Sequence, residues 1–135
     1  MSMFVDTVEL PPGKIPTLRV MTMPKDANAY GSIFGGWMMS QVDIAGAAEA
    51  TNLAKGAVVT VAVNAFQFKE PVHVGDLVSF YAEPLRVGRT SVTIKVEVFA
   101  ERHPENPIVV KVTEATLTYV AVDVQGKPRV IVKPE

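Results

Sequence analysis

The spacing of hydrophobic residues changes twice along the chain and divides it into three regions. Residues 17–23 alternate between apolar and polar side chains, which predicts a first strand. The side chains expected on one face of that strand are those of Leu18, Val20 and Thr22. A turn-forming segment, residues 24–28, ends it.

Residues 27–48 are unusually apolar, because Asp43 is their single charged side chain in 22 residues. A membrane span needs about 20 apolar residues, but the polar side chains and four glycines here argue against one. We expect a soluble helix covered by protein on nearly all sides. It should begin at Gly35-Gly36 and end at Lys55-Gly56, where glycine suits the residue after a helix and lysine suits its negative end.

After this helix the period shortens to two, which predicts four further strands. They span residues 57–69, 77–87, 90–101 and 108–122. Pro84 predicts a bulge or an edge within the second of the four, and a shift of alternation near Glu114 predicts a bulge in the last.

The order of these elements predicts an α+β fold, in which one curved antiparallel sheet wraps around a long central helix. Residues 1–16 are interpreted as a loose N-terminal arm, and residues 17–135 as one domain. If strand 57–69 is regular, Phe66 and Phe68 lie opposite Val61, Val63 and Ala65. Apolar residues on both faces need cover on both, so we infer a homodimer formed by sheet extension or by helix contact.

The amino-acid composition excludes several kinds of catalytic site and binding partner. The 135 residues include no cysteine, which excludes disulfides, a cysteine nucleophile and zinc–thiolate sites. Only His73 and His103 could serve histidine chemistry, and both lie in proline-rich turns where exposed loop histidines are the simpler interpretation. A formal net charge of -1 argues against nucleic acid as a partner. The first residues lack the pattern of a signal peptide, so we expect a cytoplasmic protein.

Two polar residues stand out as candidates for catalysis. Asp43 shares its helix face with small or apolar residues and has no basic neighbour in sequence, so it is either a solvated surface acid or a general base or nucleophile. Asn28 lies in a turn, where asparagine is usually structural, but its amide could also polarise a carbonyl or hold a water.

Two further features indicate binding. Gly35-Gly36 opens the helix, and glycines there would let a carbonyl oxygen reach free N–H groups at the positive helix end, although loop flexibility also explains the pair. Individual basic residues are most simply solvated surface charges, but some could bind phosphates: Arg86, Arg89, Lys127, Arg129 and Lys133. The turn Arg89-Thr90-Ser91 offers three donors in succession.

The segment Asn28–Asp43 (NAYGSIFGGWMMSQVD) resembles the signature of the hotdog-fold acyl-CoA thioester hydrolases of the bacterial YciA type. Weaker similarity extends from about residue 17 to residue 129, through residues 58–63, 71–76, 89–91 and 115–123. The resemblance implies the hotdog fold and a dimer with two active sites at its interface, often assembled as a trimer of dimers. It also implies that Asp43 is the catalytic carboxylate and that Asn28 comes from the other subunit, while the Gly35-Gly36 region polarises the thioester carbonyl.

The resulting hypothesis is an enzyme that hydrolyses acyl-CoA to a free acid and CoA without a metal or other cofactor. Catalysis is assigned to Asp43, Asn28 and Gly36. Substrate binding is assigned to Phe34, Gly35, Thr60, Val61, Arg89, Thr90, Ser91, Lys127 and Arg129. Two alternatives stay open: a non-catalytic acyl-CoA sensor on the same fold, and a hotdog dehydratase or isomerase, although the helix lacks the histidine that such enzymes usually need.

Overall fold

The structure, a computed structural model, describes residues 6–131. Five strands and one long helix account for most of it, together with a short 3₁₀ helix at Pro24–Asp26. The strands are β1 (Leu18–Met21), β2 (Val58–Phe68), β3 (Leu77–Val87), β4 (Ser91–Arg102) and β5 (Ile108–Ala121), and the helix is α1 (Gly35–Ala54).

All strand pairs are antiparallel, and the sheet has the order β1-β3-β4-β5-β2. The three central strands form a meander, whereas β2 pairs only with β5 and β1 pairs only with β3. The predicted α+β fold, a long helix packed on an antiparallel sheet, is therefore confirmed. Strand β2 is an edge of this sheet, which places the chain segment that follows α1 at its border.

The core lies between α1 and the inner face of the sheet. Strand β4 shows why the sequence folds this way, because its alternating apolar side chains are fully buried: Val92, Ile94, Val96 and Val98. The helix contributes Met38, Val42, Ala45 and Ala50 to the same core. Thr22, predicted on the same strand face as Leu18 and Val20, is also buried, and its hydroxyl contacts the backbone oxygens of His73 and Asp76 as a donor.

Helix α1 begins at Gly35 as the sequence predicts, but the left-handed residue at its end is Lys55 (φ 55°) rather than a glycine. Gly56 leaves room for the Arg129 guanidinium, since a Cβ there would lie 2.7 Å from its Nη2. The expectation that protein covers the helix on nearly all sides is wrong for a single chain. One sheet covers one face, and Met39 and Ile44 on the other side are about half exposed.

Bulges in β2 overturn the face assignment made for a regular strand. Register shifts occur between Thr60 and Ala62 and between Asn64 and Gln67, so each adds a residue without a partner. Because each extra residue reverses the alternation, the faces expected for a regular strand do not hold along β2, in which Phe66 packs against the core. The bulges expected at Pro84 and close to Glu114 are confirmed, the first between Pro84 and Arg86 and the second in β5 opposite Val98 and Phe99.

Part of the N-terminal segment is fastened to the sheet rather than loose. The Val8 amide donates to the carbonyl of Val109, and Lys14 forms an ion pair with Glu83. The division into an arm and a domain stays a prediction, and residues 1–5 and 132–135 lie outside the described part of the chain. Among residues 6–131, neither α1 nor any other helix is both long enough and apolar enough to cross a membrane.

Candidate active site

Asp43 lies in the middle of α1 and faces β2 and β5. Two hydroxyl groups lie within hydrogen-bonding distance of the same carboxylate oxygen, Oδ1: that of Thr60 at 2.7 Å and that of Tyr119 at 3.1 Å. The Tyr119 hydroxyl is also 2.9 Å from the backbone oxygen of Asp43. Thr60 and Tyr119 are directly opposite each other in the β2–β5 ladder, which explains why both reach one atom. Within residues 6–131, Oδ2 accepts no hydrogen bond and the carboxylate forms no ion pair.

The Tyr119 phenol is buried beside the Asp43 carboxylate. Burial, and then the negative charge of Asp43 and the hydrogen bond to it, raise the pKa of the Tyr119 phenol well above its ordinary value. The phenol therefore keeps its proton at neutral pH and acts towards Asp43 only as a donor.

The N-terminus of α1 offers backbone donors. Phe34 is the N-cap residue, and its side chain makes no capping hydrogen bond. The first helical N–H groups, those of Gly35 and Gly36 among them, have no partner within the helix and carry the positive end of its dipole. Space above Gly36 is open, because an added Cβ would meet nothing within 4 Å. A Cβ on Gly35 would lie 3.2 Å from the Phe68 ring.

Asn28 has a structural role in the loop before α1. Its side-chain Oδ1 accepts from the backbone N–H groups of Tyr30 (2.8 Å) and Ser32 (3.2 Å), and its backbone N–H donates to the carbonyl of Ser32 (2.8 Å). This turn-forming arrangement leaves the side-chain NH₂ group as the part of Asn28 that can meet a ligand. Its chemistry is therefore limited to donation.

One chain does not bring Asn28, Gly36 and Asp43 together. Gly36 and Asp43 are seven residues apart on one helix face, which corresponds to about 10 Å along the axis. In the described residues no hydrogen bond joins Asn28 to Asp43. A carbonyl bound at Gly36 would therefore lie outside the hydrogen-bonding range of the same chain's carboxylate.

An apolar cavity of about 210 Å³ lies beside the helix N-terminus. It is lined mainly by Ile33, Gly35, Met38, Phe68, Pro71 and Val72, with Glu70 as the one charged lining residue. Phe34 lies next to it in sequence and is about half exposed. The cavity is therefore close to the free N–H groups and has the character of a site for an aliphatic chain.

The predicted phosphate-binding residues collect at the opposite end of the molecule. The Arg89 carbonyl accepts from the Ile131 amide, which brings Arg89-Thr90-Ser91 beside the segment that holds Lys127 and Arg129. Arg86, Arg89 and Lys127 are exposed. Lys133 lies outside the described residues.

Arg129 caps the C-terminal end of α1, a role that the sequence analysis did not predict. Its guanidinium donates to the carbonyls of Ala54 (2.8 Å) and Val122 (3.2 Å), and so satisfies the C-terminal end of α1. Phosphate binding by Arg129 stays a prediction that concerns only its remaining N–H groups. Val61, the other β2 residue predicted to bind substrate, is about half exposed at the sheet edge.

Tyr119, whose hydroxyl contacts Asp43, was not identified as a site residue by the sequence analysis. Alternation alone identified Tyr119 as part of a strand, and only the packing of that strand on α1 shows that its hydroxyl reaches Asp43. His73 and His103 are exposed loop residues, as the simpler interpretation had it. Among the described residues, no group of three or more His, Cys, Asp or Glu side chains is arranged to hold a metal ion.

Residues 30–106 match a protein family described as the "Thioesterase superfamily". YciA, an acyl-CoA thioester hydrolase of Escherichia coli, is 49% identical over 127 residues, which cover 93% of this chain and 96% of that protein. An uncharacterized acyl-CoA thioester hydrolase of Buchnera aphidicola is 50% identical over 123 residues, which cover 90% of each chain.

Solved structures agree with these similarities. The hexameric thioesterase y2039 from Yersinia pestis superposes with a TM-score of 0.84 at 47% identity and covers 93% of this chain and all of that one. HI0827, a hexameric broad-specificity acyl-coenzyme A thioesterase, gives 0.85 at 45% identity and covers 98% of this chain and 90% of that one. The chain therefore belongs to the hotdog-fold thioesterase superfamily, within its group of YciA-like acyl-CoA thioester hydrolases.

Proposed function

We propose that this acyl-CoA thioester hydrolase uses Asp43 as its catalytic carboxylate, at a site completed by a second copy of the chain. The observation that carries the proposal is the state of Asp43 itself. Among residues 6–131, two hydroxyl groups hold its Oδ1, Oδ2 has no hydrogen bond and the carboxylate has no ion pair. A carboxylate so arranged is oriented and has one basic oxygen available for chemistry.

Two routes use that oxygen. As a general base, Oδ2 takes a proton from water while the water oxygen bonds to the thioester carbon. The C–S bond then breaks, and the CoA thiolate receives the proton from Asp43. As a nucleophile, Oδ2 bonds to the carbonyl carbon and expels the thiolate to form a mixed anhydride, which water hydrolyses to the acid and the regenerated carboxylate.

Both routes place negative charge on the carbonyl oxygen, and the helix N-terminus is suited to stabilise it. The Gly36 amide is our candidate donor, because the space above it is open and its N–H group lies at the positive end of the helix dipole. We assign the side-chain NH₂ of Asn28 to orient the carbonyl or the water, since its Oδ1 is occupied by backbone amides.

A homodimer could bring these groups together from two different chains. Gly36 and Asp43 of one helix are about 10 Å apart along its axis, so the proposal pairs Asp43 of one protomer with Gly36 and Asn28 of its partner. Strand β2 supplies an exposed apolar edge for such pairing through Val59, Val61 and Val63, which are 46%, 55% and 40% exposed. The hexameric relatives support a trimer of such dimers.

Substrate placement follows from the same geometry. The acyl chain is assigned to the cavity beside Gly35 and Phe34, and the pantetheine to the β2 edge near Thr60 and Val61. The phosphates of CoA are assigned to Arg89, Thr90, Ser91 and Lys127, with Arg129 in a secondary role because of its helix-capping bonds. A thioester is already activated, so the proposal includes no metal or other cofactor, and a cytoplasmic location remains part of it.

Mixing two inactive variants tests the shared site. Asn28→Ala and Asp43→Ala homo-oligomers should each be inactive, whereas subunits exchanged between them form heterodimers in which one site keeps both residues. Recovery of up to about half of the wild-type rate per mixed dimer is expected, measured as thiol release from acyl-CoA. Absence of any recovery after subunit exchange is verified by mass spectrometry would refute the shared site. Binding of acyl-CoA without thiol release by the wild-type protein would instead support the sensor.

A further inference from the structure

Tyr119 is a fully buried tyrosine whose hydroxyl reaches the centre of α1. The side chain lies on β5, between Thr60 of β2 and Val92 of β4 in the ladder. Its oxygen is 2.9 Å from the backbone oxygen of Asp43 and 3.1 Å from Oδ1 of the same residue. It therefore contacts the proposed catalytic residue from beneath, where no substrate can reach.

Gly46 opens the path for this hydroxyl. A Cβ at Gly46 would lie 2.3 Å from the Tyr119 oxygen and 3.1 Å from two carbons of its ring. Glycine inside a helix costs about 1 kcal/mol relative to alanine, so its presence one turn after Asp43 needs a reason. The space taken by the hydroxyl is that reason, because any larger residue would push the tyrosine away from the helix.

The hydroxyl has one proton and two acceptors within reach. Hydrogen bonds to ionised acceptors are roughly twice as strong as those between neutral groups, so Oδ1 is the preferred acceptor when Asp43 is charged. The raised pKa of Tyr119, caused by burial and by the nearby carboxylate, keeps that proton in place. Tyr119 is thus a permanent donor to Asp43 and has no part in moving protons.

We propose that Tyr119 is a positioning residue for catalysis: its hydroxyl, admitted by Gly46, fixes Oδ1 of Asp43 and so directs Oδ2 towards the reacting atoms. The inference rests on the proposed function of Asp43. Thr60 holds Oδ1 from the exposed side of the sheet edge, whereas Tyr119 holds it from the core, and together they restrict rotation of the carboxylate. Loss of the phenol hydroxyl should therefore slow the chemical step and leave binding unchanged.

The test compares Tyr119→Phe with Tyr81→Phe, a control that removes the hydroxyl of another buried tyrosine on the same sheet. We expect Tyr119→Phe to lower kcat about 10- to 100-fold, as for one hydrogen bond to a charged group, with KM within twofold of wild type. Tyr81→Phe should keep the wild-type kcat. Thermal unfolding checks that both variants fold. Wild-type kcat in folded Tyr119→Phe would overturn the proposal.

A second pair of variants separates positioning from general packing. Gly46→Ala should reproduce the loss of kcat. Adding it to Tyr119→Phe should cost little more, because the hydroxyl, which is the closest contact, is already absent and the ring carbons 3.1 Å away need to move by only a few tenths of an ångström. If Tyr119→Phe does not fold, Gly46→Ala decides the matter, and wild-type kcat there refutes the inference.

The Asp43→Asn background distinguishes the failure of this inference from the failure of the proposed function. Tyr119→Phe should leave the residual rate of Asp43→Asn unchanged, since it acts through the carboxylate. A further loss in that background would show a role independent of Asp43 and overturn the proposal. High activity of Asp43→Asn itself would instead refute the proposed catalytic role.

Discussion

Replacing Asp43 by asparagine is the sharpest perturbation that the structure offers, because it changes the charge and almost nothing else. The asparagine Oδ1 can still accept from the hydroxyls of Thr60 and Tyr119, which lie 2.7 and 3.1 Å from the present oxygen. The amide NH₂ then takes the place of Oδ2. It has no basic lone pair, so it can neither accept a proton from water nor attack a carbonyl carbon.

The expected loss follows from the chemistry of the removed group. A positioned acid–base residue contributes about 10²- to 10⁴-fold to the rate, which corresponds to about 2.7–5.4 kcal/mol of barrier. Stability should fall by no more than about 1–2 kcal/mol, because both donors keep an acceptor but two charge-assisted hydrogen bonds become neutral ones, and no ion pair among the described residues is broken. KM should stay within a few-fold of wild type.

The measurement is steady-state thiol release on short, medium and long acyl-CoAs, with urea unfolding of the same preparations. Glu49→Gln is the matched control, because it removes one negative charge from the same helix, six residues further on. Its kcat should equal that of the wild type. Asp43→Asn with more than a tenth of the wild-type kcat on every substrate would show that the carboxylate is not the reacting group.

Three further predictions concern other parts of the chain. Gly36→Pro removes a first-turn N–H group that helices do not need, and should lower kcat about 10²- to 10³-fold; Gly36→Ala keeps the donor in open space, so equal losses in both would contradict the oxyanion assignment. Asp76→Ala should lower the free energy of unfolding, measured in urea, by about 3–5 kcal/mol. The reason is that the Arg102 guanidinium, 2.9 Å away and 11% exposed, loses its buried partner. Asp76→Ala/Arg102→Ala should cost less than the sum of the single changes, and strict additivity would exclude their coupling. Burial raises the pKa of the Glu97 carboxyl, but the hydrogen bond and charge of Lys111 outweigh burial and hold it below its ordinary value. Glu97→Gln should therefore destabilise the protein at pH 7 by up to about 1 kcal/mol. This difference should shrink as the pH falls below 4.5, and a constant difference would be inconsistent with an ion pair.

The local spacing of apolar residues was sufficient to predict the positions of the helix and the strands. The alternation in β4 and the largely apolar sequence of α1 each extend over many residues, and the bounds of both elements agree with the prediction to within one or two residues. The bulges at Pro84 and near Glu114 were also visible, because a proline or a break in alternation records them locally.

The faces of β2 were not predictable in the same way. Its two bulges follow from the register with β5, and the pattern of apolar and polar residues around Val61 and Ala65 does not predict them. Ala65 itself has a positive φ of 53°, a conformation that alanine rarely adopts and that only the surrounding pairing can impose. One chain covers only part of α1, because apolarity shows that a face must be covered, not which chain covers it.

For the site, the sequence alone determined the candidates: an isolated carboxylate at Asp43, a glycine pair at the head of its helix and an asparagine before it. Absence of cysteine and scarcity of histidine narrowed the chemistry to these groups. Only the tertiary structure decided which oxygen of Asp43 is occupied, that the Arg129 guanidinium serves the helix end, and that Tyr119 reaches the carboxylate over Gly46. The physical reason is that residue types fix which bonds can form, whereas partners 76 residues apart in the chain meet only when the sheet packs on the helix.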